Sequence, residues 1–446
     1  MTESTEPLSG GDPPGPRGEL FGRLNLMQWR SRGVGFLQRM VETFGDLSFF
    51  RLGEVPVYLL HGPDLVQQSL VTGRQNLRKP ESLKVSNRGW WGDGLTSMDG
   101  EPWRRRKKEI RPLFHQREIE RWAFAVVEET LVMCETWSPG QEVELYGLLV
   151  ELRAAVAARS VLGSRLGTGP DQVSVDEARG RNFVLTAENS TCPYQGMPRP
   201  RAGQDVEGMR DLVKQVWEGG GGGHDALSFL ARLRDESGRR LELEDVTDEL
   251  LQMFFAGHLT LTTWLTRVCY VLAARPDLDK KVWEESTRSV QGSEPTADDL
   301  PSLPFGEQLI RETGRFFAPA PVLYREVAEP FEVAGYRLRA GAGLWVAPQL
   351  MHHDPRFFPE PERFRPERFA DGGRHVPRFA YLPFGAGPRV CIARLTALAE
   401  MRLVLATLVR RWRFRLPHSE DREPNLASMP FPGRLVLRVE PREEST

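Results

Sequence analysis

Hydrophobic patterning divides the chain into a small β region near its start and long helices elsewhere. An amphipathic pattern predicts a helix over 33–44, and β-branched and aromatic residues around a glycine break predict a hairpin over 46–60. Apolar residues recur at helical spacing over 116–162, with a turn at Ser138-Pro139-Gly140. The strongest helical pattern runs over 243–274 and predicts a long helix through the middle of the molecule.

The last third of the chain combines helical and strand-like patterns. We expect helices over 304–317 and 392–411 and a strand-like piece over 335–347. The stretch 167–223 is richer in Pro, Gly and polar residues and ends in five glycines, which predicts a mobile region. The whole pattern indicates a mainly α fold with a small β region.

Composition narrows the class of protein. The chain has 446 residues, of which 40% are hydrophobic and 27% charged, as in a globular protein. A formal net charge of -2 gives no long-range attraction for nucleic acid or an anionic membrane. The cysteines form no zinc or disulfide pattern, and neither a secretory signal nor an apolar run of about 18–20 residues is present. We expect a cytoplasmic monomer without a membrane anchor, with a flexible segment over 1–18 and a single domain over 19–446.

One cysteine lies in a glycine-rich segment that suits a reactive thiolate. The segment runs from Phe384 to Ala393 (FGAGPRVCIA), with two glycines before Cys391 and an apolar helical pattern after it. The glycines permit a tight turn, and backbone N–H groups at a helix start stabilise a thiolate. Without those glycines, a lone cysteine is ordinarily a small residue of the core.

This segment resembles the haem-binding loop of the cytochromes P450, Phe-Gly-x-Gly-x-Arg-x-Cys-x-Gly, with Ala393 in place of the last glycine. The resemblance implies that Cys391 is the axial thiolate ligand of the iron of haem b, a donor that favours O–O cleavage. It also implies that Phe384 shields the sulfur and that Arg389 pairs with a haem propionate. The likeness covers roughly residues 13–440 and implies the P450 fold, with haem between a long central I helix and the cysteine loop.

Other segments match the family in the same order. Glu312 and Arg315 lie three residues apart and share a helix face; they resemble the ExxR motif of the K helix, and Arg368 resembles its third, structural member. Trp103 and Lys107 resemble the WxxxR motif of the C helix, with Lys in place of Arg. Lys keeps the charge and loses the bidentate fork.

The resemblance also assigns propionate ligands. Trp103, Lys107 and Arg325 occupy positions that the family uses for this purpose, together with Arg389. The set supplies three cations for two carboxylates.

The long helix departs from the family at one position. Ala256 to Thr260 (AGHLT) resembles the I-helix motif Ala-Gly-x-Glu/Asp-Thr, so Thr260 takes the alcohol position and Leu259 takes the acid position. In the family, the acid and the alcohol relay protons during oxygen activation, and a leucine cannot donate one. His258 is a further candidate proton donor.

Three interpretations of Leu259 remain open. Leu259 is a neutral change, with His258, Thr260, Thr262 or water supplying protons to an ordinary monooxygenase. Alternatively, the enzyme does not cleave dioxygen and works by peroxide use, rearrangement, dehydration, or group transfer of the nitrene or carbene type. The third interpretation is a haem-binding sensor without turnover.

By position, several apolar and aromatic residues resemble the substrate-recognition regions of the family. They favour a hydrophobic small molecule, such as a terpenoid, a prenylated aromatic or a fatty acyl compound in specialised metabolism. The predicted pocket residues are Trp90, Trp91, Phe183, Phe255, Gly257, Val322, Leu323 and Met429.

The basic run from Arg104 to Lys108 is the strongest local charge pattern. On a helix such a run is ordinarily a solvated face rather than a nucleic-acid site. In the P450 fold, the C helix borders the proximal surface where an acidic ferredoxin docks. We therefore expect ferredoxin and ferredoxin reductase as separate partners if dioxygen is used.

Overall fold

A computed structural model describes most of the chain. The described residues are 11–16, 19–162, 225–234, 238–417 and 435–442, with short pieces at 165–166, 172–173, 210–211, 213–214 and 217–218. In chain order its helices are α1 (Glu19–Arg32), α2 (Val34–Phe44), α3 (Pro63–Val66), α4 (Glu81–Trp91), α5 (Gly100–Ile110), α6 (Gln116–Glu135), α7 (Leu145–Leu162), α8 (Ala226–Leu230), α9 (Leu243–Ala274), α10 (Pro276–Ser289), α11 (Pro304–Phe316), α12 (Pro348–Met351) and α13 (Arg394–Arg411).

The strands form one larger sheet and several small ones. They are β1 (Leu47–Leu52), β2 (Val55–Leu60), β3 (Leu77–Arg78), β4 (Glu142–Glu144), β5 (Arg165–Leu166), β6 (Gln172–Val173), β7 (Leu323–Val327), β8 (Phe331–Val333), β9 (Tyr336–Leu338), β10 (Gly343–Val346), β11 (Trp412–Arg415) and β12 (Val436–Pro441). The larger sheet has the order β1-β2-β10-β7-β3, with β10 parallel to β2 and antiparallel to β7. A second sheet has the order β11-β12-β4, and β5-β6 and β8-β9 form separate pairs.

Both faces of the larger sheet are buried. Successive side chains of a strand point to opposite faces, so each strand contributes to both. Phe50 points to the side of α2, where its ring meets Phe36 edge-on at 5.2 Å. Phe49 points to the other side and lies 5.1 Å from Tyr58. The sheet is thereby fixed between two apolar clusters and can hold the β7 residues in place.

Helix α9 is the central element of the helical region. It is 32 residues long, and most of its residues are buried. Its second half contributes Leu261, Leu265 and Val268 to the largest apolar cluster, together with residues of α6, α7 and α13. Packing on these sides fixes the position of α9. One stretch of the helix remains open to a ligand.

The predicted elements agree with the structure in most places. The helix over 243–274 and the hairpin over 46–60 are confirmed, and the two helices of 116–162 are separated by a turn and β4. The strand-like stretch predicted over 335–347 contains two strands, β9 and β10, which belong to different sheets. The region predicted to be mobile, 167–223, lies largely outside the described residues.

Part of the N-terminal segment is attached to the larger sheet. The Pro14 carbonyl accepts a hydrogen bond from the Phe49 N–H at 2.9 Å. Asp12 is buried and pairs with Arg339 at 2.5 Å. Residues 12–14 of the segment expected to be flexible thus contact the folded domain, and the flexibility of the segment stays a prediction.

Candidate active site

The cysteine loop is a tight turn that depends on its glycines. Gly385 and Gly387 have φ angles of 74° and 69°, which residues with side chains rarely adopt. A Cβ atom at position 387 would lie 2.0 Å from the carbonyl oxygen of Leu70, so only glycine fits there. The loop closes where the N–H of Cys391 donates to the carbonyl oxygen of Phe384 at 2.9 Å.

Cys391 lies just before a helix start, as predicted. Helix α13 begins at Arg394, and the N–H of its N-cap residue Ala393 donates to the Cys391 sulfur. Burial raises the pKa of the Cys391 thiol, and the opposing effects of this N–H, Lys107 and Arg394 are smaller. The Cys391 side chain is nevertheless accessible. A bound metal ion would stabilise the thiolate at this position.

The structure brings together the three residues of the predicted brace. Arg315 donates from Nε and Nη2 to the two carboxylate oxygens of Glu312, each at 2.8 Å, and both side chains are fully buried. Arg368 lies 3.4 Å from the same carboxylate. Such a buried pair is stable because every remaining group finds a partner, including the Arg365 N–H at 2.8 Å from Glu312.

His352 connects this brace to the cysteine loop and was missed by the sequence analysis. Its Nε2 accepts from the N–H of Leu382 at 2.9 Å, so the proton lies on Nδ1, which is 3.1 Å from the carbonyl oxygen of Arg315. Burial, followed by the charge of Arg315, lowers the pKa of His352 to about 3. The imidazole is therefore neutral, as both hydrogen bonds require.

Trp103, Lys107 and Arg389 meet beside the loop. The guanidinium carbon of Arg389 lies 4.1 Å from the centre of the Trp103 ring, and Arg389 also pairs with Asp99. Lys107 donates to the carbonyl oxygens of Pro388 and Val390, the latter at 3.1 Å. Lys107 thus holds the backbone on either side of Arg389, and its binding of a propionate stays a prediction.

Two further cations face the same region. Arg325, on β7, donates to the carbonyl oxygen of Tyr324 at 2.7 Å. Lys79, which follows β3, donates to the carbonyl oxygen of Thr96. Burial lowers the pKa of Arg325 to about 10 and that of Lys79 to about 7. Both residues are partly exposed, and Arg325 lines a cavity together with Asp99, Trp103 and Arg389.

The open face of α9 carries Ala256 and Thr260. These residues are four apart, share one helix face and are exposed, although most of α9 is buried. The Thr260 hydroxyl donates to the Ala256 carbonyl oxygen at 2.9 Å, which leaves the hydroxyl oxygen free to accept. Phe384, which precedes the loop glycines, packs against Trp264 one turn further along α9, with 5.4 Å between the rings.

The other predicted catalytic residues of α9 do not share this face. His258 is rotated by about 200° from Ala256 and is 3% exposed. It stacks on Phe254 at 5.4 Å, and burial together with Arg153 lowers its pKa to about 3. A neutral imidazole on the far face is poorly placed to give a proton at Thr260. Leu259 packs against Tyr146 and Val150 of α7, so the acid position is part of an apolar contact.

The predicted pocket residues fall into three groups. Leu323 reaches the cysteine loop, where its methyl groups would lie 4.0 Å from a Cβ at Gly385. Phe255 and Val322 are 4% and 7% exposed and belong to apolar clusters, while Gly257 faces Arg153 of α7. The side chains that lie outside the described residues are those of Trp90, Trp91, Phe183 and Met429.

The loop over residues 92–97, between α4 and α5, is tied to the first half of α9. Asp248 accepts from the Asp93 N–H at 2.7 Å, and Glu249 accepts from the Leu95 N–H at 3.2 Å. Gln252 accepts from the Thr96 N–H at 2.6 Å and donates to the Gly92 carbonyl oxygen at 2.8 Å. Side chains of α9 thus determine the path of the backbone over residues 92–97.

The basic run of α5 is less of a solvated face than predicted. Arg106 is 7% exposed and pairs with Glu249 at 3.1 Å, in the interior. Lys107 faces the cysteine loop, as described above. Only Arg104 and Lys108 of the run are fully exposed. A docking surface on α5 would therefore use fewer charges than the sequence shows.

A family model described as Cytochrome P450 matches residues 13–442. The chain belongs to the cytochrome P450 family. It is therefore a haem-thiolate oxidoreductase. It is 32% identical over 429 residues to a cyclooctat-9-en-7-ol 5-monooxygenase of Streptomyces melanosporofaciens, covering 93% of this chain and 92% of the relative. It is 29% identical over 417 residues to a cyclooctatin synthase of the same organism, covering 89% of each chain. A pentalenene oxygenase of Streptomyces avermitilis is 28% identical over 425 residues, covering 93% of this chain and 94% of the relative.

The haem iron that this family carries fits the residues present. The Cys391 side chain is accessible, and a cavity beside the cysteine loop is lined by Trp103, Arg325 and Arg389. The Ala256 and Thr260 face of α9 provides an open surface for a ligand. Across the ranges that the structure describes, no helix is long and apolar enough to span a membrane, and no cluster of His, Cys, Asp and Glu forms a separate metal site.

Proposed function

We propose that this P450 is a monooxygenase that hydroxylates a cyclic terpenoid, with haem b bound through Cys391. One atom of dioxygen enters the product and the other leaves as water, with electrons supplied by a separate ferredoxin and ferredoxin reductase. The observation that carries the proposal is the family match over residues 13–442, together with the accessible Cys391 sulfur in its braced loop. The haem iron supplies the oxidising chemistry, and the thiolate ligand favours O–O cleavage.

The chain's own residues have distinct tasks in this reaction. The brace of Glu312, Arg315 and His352 holds the cysteine loop in register. The Thr260 hydroxyl donates to the Ala256 carbonyl oxygen, so its own oxygen accepts a hydrogen bond at the open face of α9 and orients a proton donor there. These tasks are positioning tasks, which contribute to rate through orientation.

The substrate class rests on the relatives and on the character of the described wall. The relatives are named for a cyclic alkenol, for cyclooctatin and for pentalenene. Leu323 and Leu95 add apolar surface near the loop and near α9. This apolar surface, together with the compounds for which the relatives are named, favours a hydrocarbon or a mono-alcohol as substrate.

Leu259 supports a second candidate function. The acid of the usual proton relay is replaced by a leucine that packs on Tyr146 and Val150. An enzyme that rearranges or dehydrates its substrate, uses peroxide, or transfers a nitrene or carbene group has no need of that relay. The isotopic origin of the product oxygen distinguishes the two functions.

The experiment uses the purified holoenzyme with ferredoxin, reductase and NADPH, and a panel of cyclic terpene hydrocarbons and alcohols. The reduced carbon monoxide complex should show the thiolate-haem absorption band, and Cys391→Ser should lose it. A product carrying label from ¹⁸O-dioxygen supports hydroxylation. A product without label favours the second candidate. Absence of the thiolate band in the wild type would contradict both.

A further inference from the structure

The ammonium group of Lys79 lacks a carboxylate partner among the residues that the structure describes. It donates to the carbonyl oxygen of Thr96. The neighbouring carboxylate of Asp99 is used by others: the Lys79 backbone N–H at 2.9 Å, the Arg389 guanidinium, and Lys84 at 3.8 Å. The charge of Lys79 is therefore compensated only in part, by the nearby Asp99.

Arg325 also lacks a carboxylate partner among the described residues. Its side chain donates to the carbonyl oxygen of Tyr324, and within the described ranges it forms no ion pair. The backbone N–H of Lys79 and the guanidinium of Arg389 meet at the carboxylate of Asp99, and Asp99, Arg325 and Arg389 line the same cavity. The charges of Arg389 and Arg325 accordingly lower the pKa of Lys79. Lys84 differs, because it has Glu81 as a partner at 2.6 Å.

This arrangement is unfavourable unless an anion completes it. Desolvated cations that repel one another are normally paired with an anion. Arg389 is balanced by Asp99, whereas the described hydrogen bonds of the Lys79 and Arg325 side chains go to backbone carbonyl oxygens. A ligand that carries carboxylates would supply the missing partner.

We propose that Lys79 is a haem-anchoring residue whose ammonium pairs with one of the two propionates, beside Arg325. This rests on the proposed haem b, which carries two propionates. In this scheme Lys107, which was predicted to be the third cation, serves the cysteine loop instead. Lys79 supplies the third cation instead, and it lies in a segment that matches no family motif.

The pairing makes haem retention depend on pH. Burial, Arg389 and Arg325, with Lys84, lower the pKa of Lys79 to about 7 in the described structure, and Asp99 acts the other way. A propionate favours the charged form and raises this pKa. The contribution of Lys79 to haem affinity is therefore fully present below about pH 7 and is lost as the pH rises through the higher pKa of the haem-bound state.

The test measures the rate at which holoenzyme releases haem to excess apomyoglobin, between pH 6 and 9. Lys79→Met should lose haem about tenfold faster than wild type at pH 6, the effect of removing one charge-assisted hydrogen bond. Lys79→Arg should stay near the wild-type rate at pH 6 and remain slow at pH 9, because a guanidinium keeps its proton. Lys281→Met, at an exposed lysine that pairs with Glu367, removes the same charge far from the site and should change nothing.

A second arm separates pairing with propionate from a general effect on the fold. Protein is produced in haem-deficient cells supplied with either haem or its dimethyl ester, which has no carboxylates. With the ester, wild type and Lys79→Met should lose the cofactor at equal rates. An equal difference with haem and with ester, or Lys79→Met behaving like Lys281→Met, would overturn the proposal. Absence of the thiolate band in the wild type would contradict the proposed function itself, so the two failures are distinguishable.

Discussion

The imidazole of His352 accepts a hydrogen bond from the backbone N–H of Leu382 at 2.9 Å, two residues before the loop that carries Cys391 begins at Phe384. The other ring nitrogen faces the carbonyl oxygen of Arg315. One buried side chain thus joins the ion-paired brace on α11 to the segment leading into the cysteine loop. The stability of the haem-binding loop depends on a residue that touches neither haem nor substrate.

Replacing His352 by Phe should destabilise the holoenzyme by about 2–4 kcal/mol, because two buried backbone groups lose their partners. The conversion of the thiolate-haem band to the inactive form should accelerate as well. Urea unfolding and the carbon monoxide spectrum measure the two effects. His375→Phe is the matched control, since His375 is exposed and pairs with Asp371. Equal stability of the two variants would contradict the role of His352.

The two buried histidines should make the protein sensitive to acid. Burial holds the pKa of both His258 and His352 at about 3 in the folded chain, whereas the unfolded value is about 6.5. Their stabilising contribution is present above pH 6.5 and is lost as the pH falls from 6.5 towards 3, by up to about 1.4 kcal/mol per pH unit for each histidine. Unfolding measured at pH 7.5, 6 and 5 should show a shallower loss in His258→Phe. Identical slopes would show that His258 takes up its proton in the folded state.

Leu259→Glu tests the missing acid. A carboxylate at this position, next to Thr260, should increase the fraction of NADPH electrons that reach product if hydroxylation is limited by proton supply. Leu259→Gln is the matched control, because it has the same shape and polarity without the ionisable proton. Product, NADPH and hydrogen peroxide are measured together. If both variants lose activity equally, the apolar contact with Tyr146 and Val150 is what matters at this position.

Lys107→Met should loosen the cysteine loop, because the carbonyl oxygens of Pro388 and Val390 lose their common donor. We expect a faster loss of the thiolate-haem band at 37 °C, by about tenfold for one charge-assisted interaction, and rescue by Lys107→Arg. Lys108→Met removes the neighbouring exposed charge and should keep the wild-type half-life. A shift of ferredoxin affinity with an unchanged band would assign Lys107 to docking instead.

The motif residues could be predicted because their spacing is short and fixed. Two residues that are three positions apart on a helix, such as Glu312 and Arg315, always share a face. The turn itself requires glycines at positions 385 and 387. The structure places these residues as the sequence indicated. The same holds for the long helix α9, whose pattern is strong over its whole length.

The residues that were missed form their contacts across long stretches of chain. Asp248 and Glu249 are polar residues near a helix start, which by pattern belong on a solvated face. Their partners are backbone N–H groups more than 150 residues away, and no side-chain pattern reveals a backbone donor. His258 was assigned to the site because it lies within a motif, but adjacent residues on a helix point about 100° apart. Lys79 has no motif at all, and only its unpaired charge in the fold distinguishes it.

The bonds between α9 and the 92–97 loop have a practical consequence for protein engineering. Because the donors are main-chain N–H groups of Asp93, Leu95 and Thr96, exchanging those three side chains removes none of these bonds. Variants at these positions would change the side chains that the loop carries while the path of the polypeptide stays the same. Changes at Asp248, Glu249 or Gln252 would do the opposite and release the path itself, so the composition of the loop and its rigidity can be altered separately.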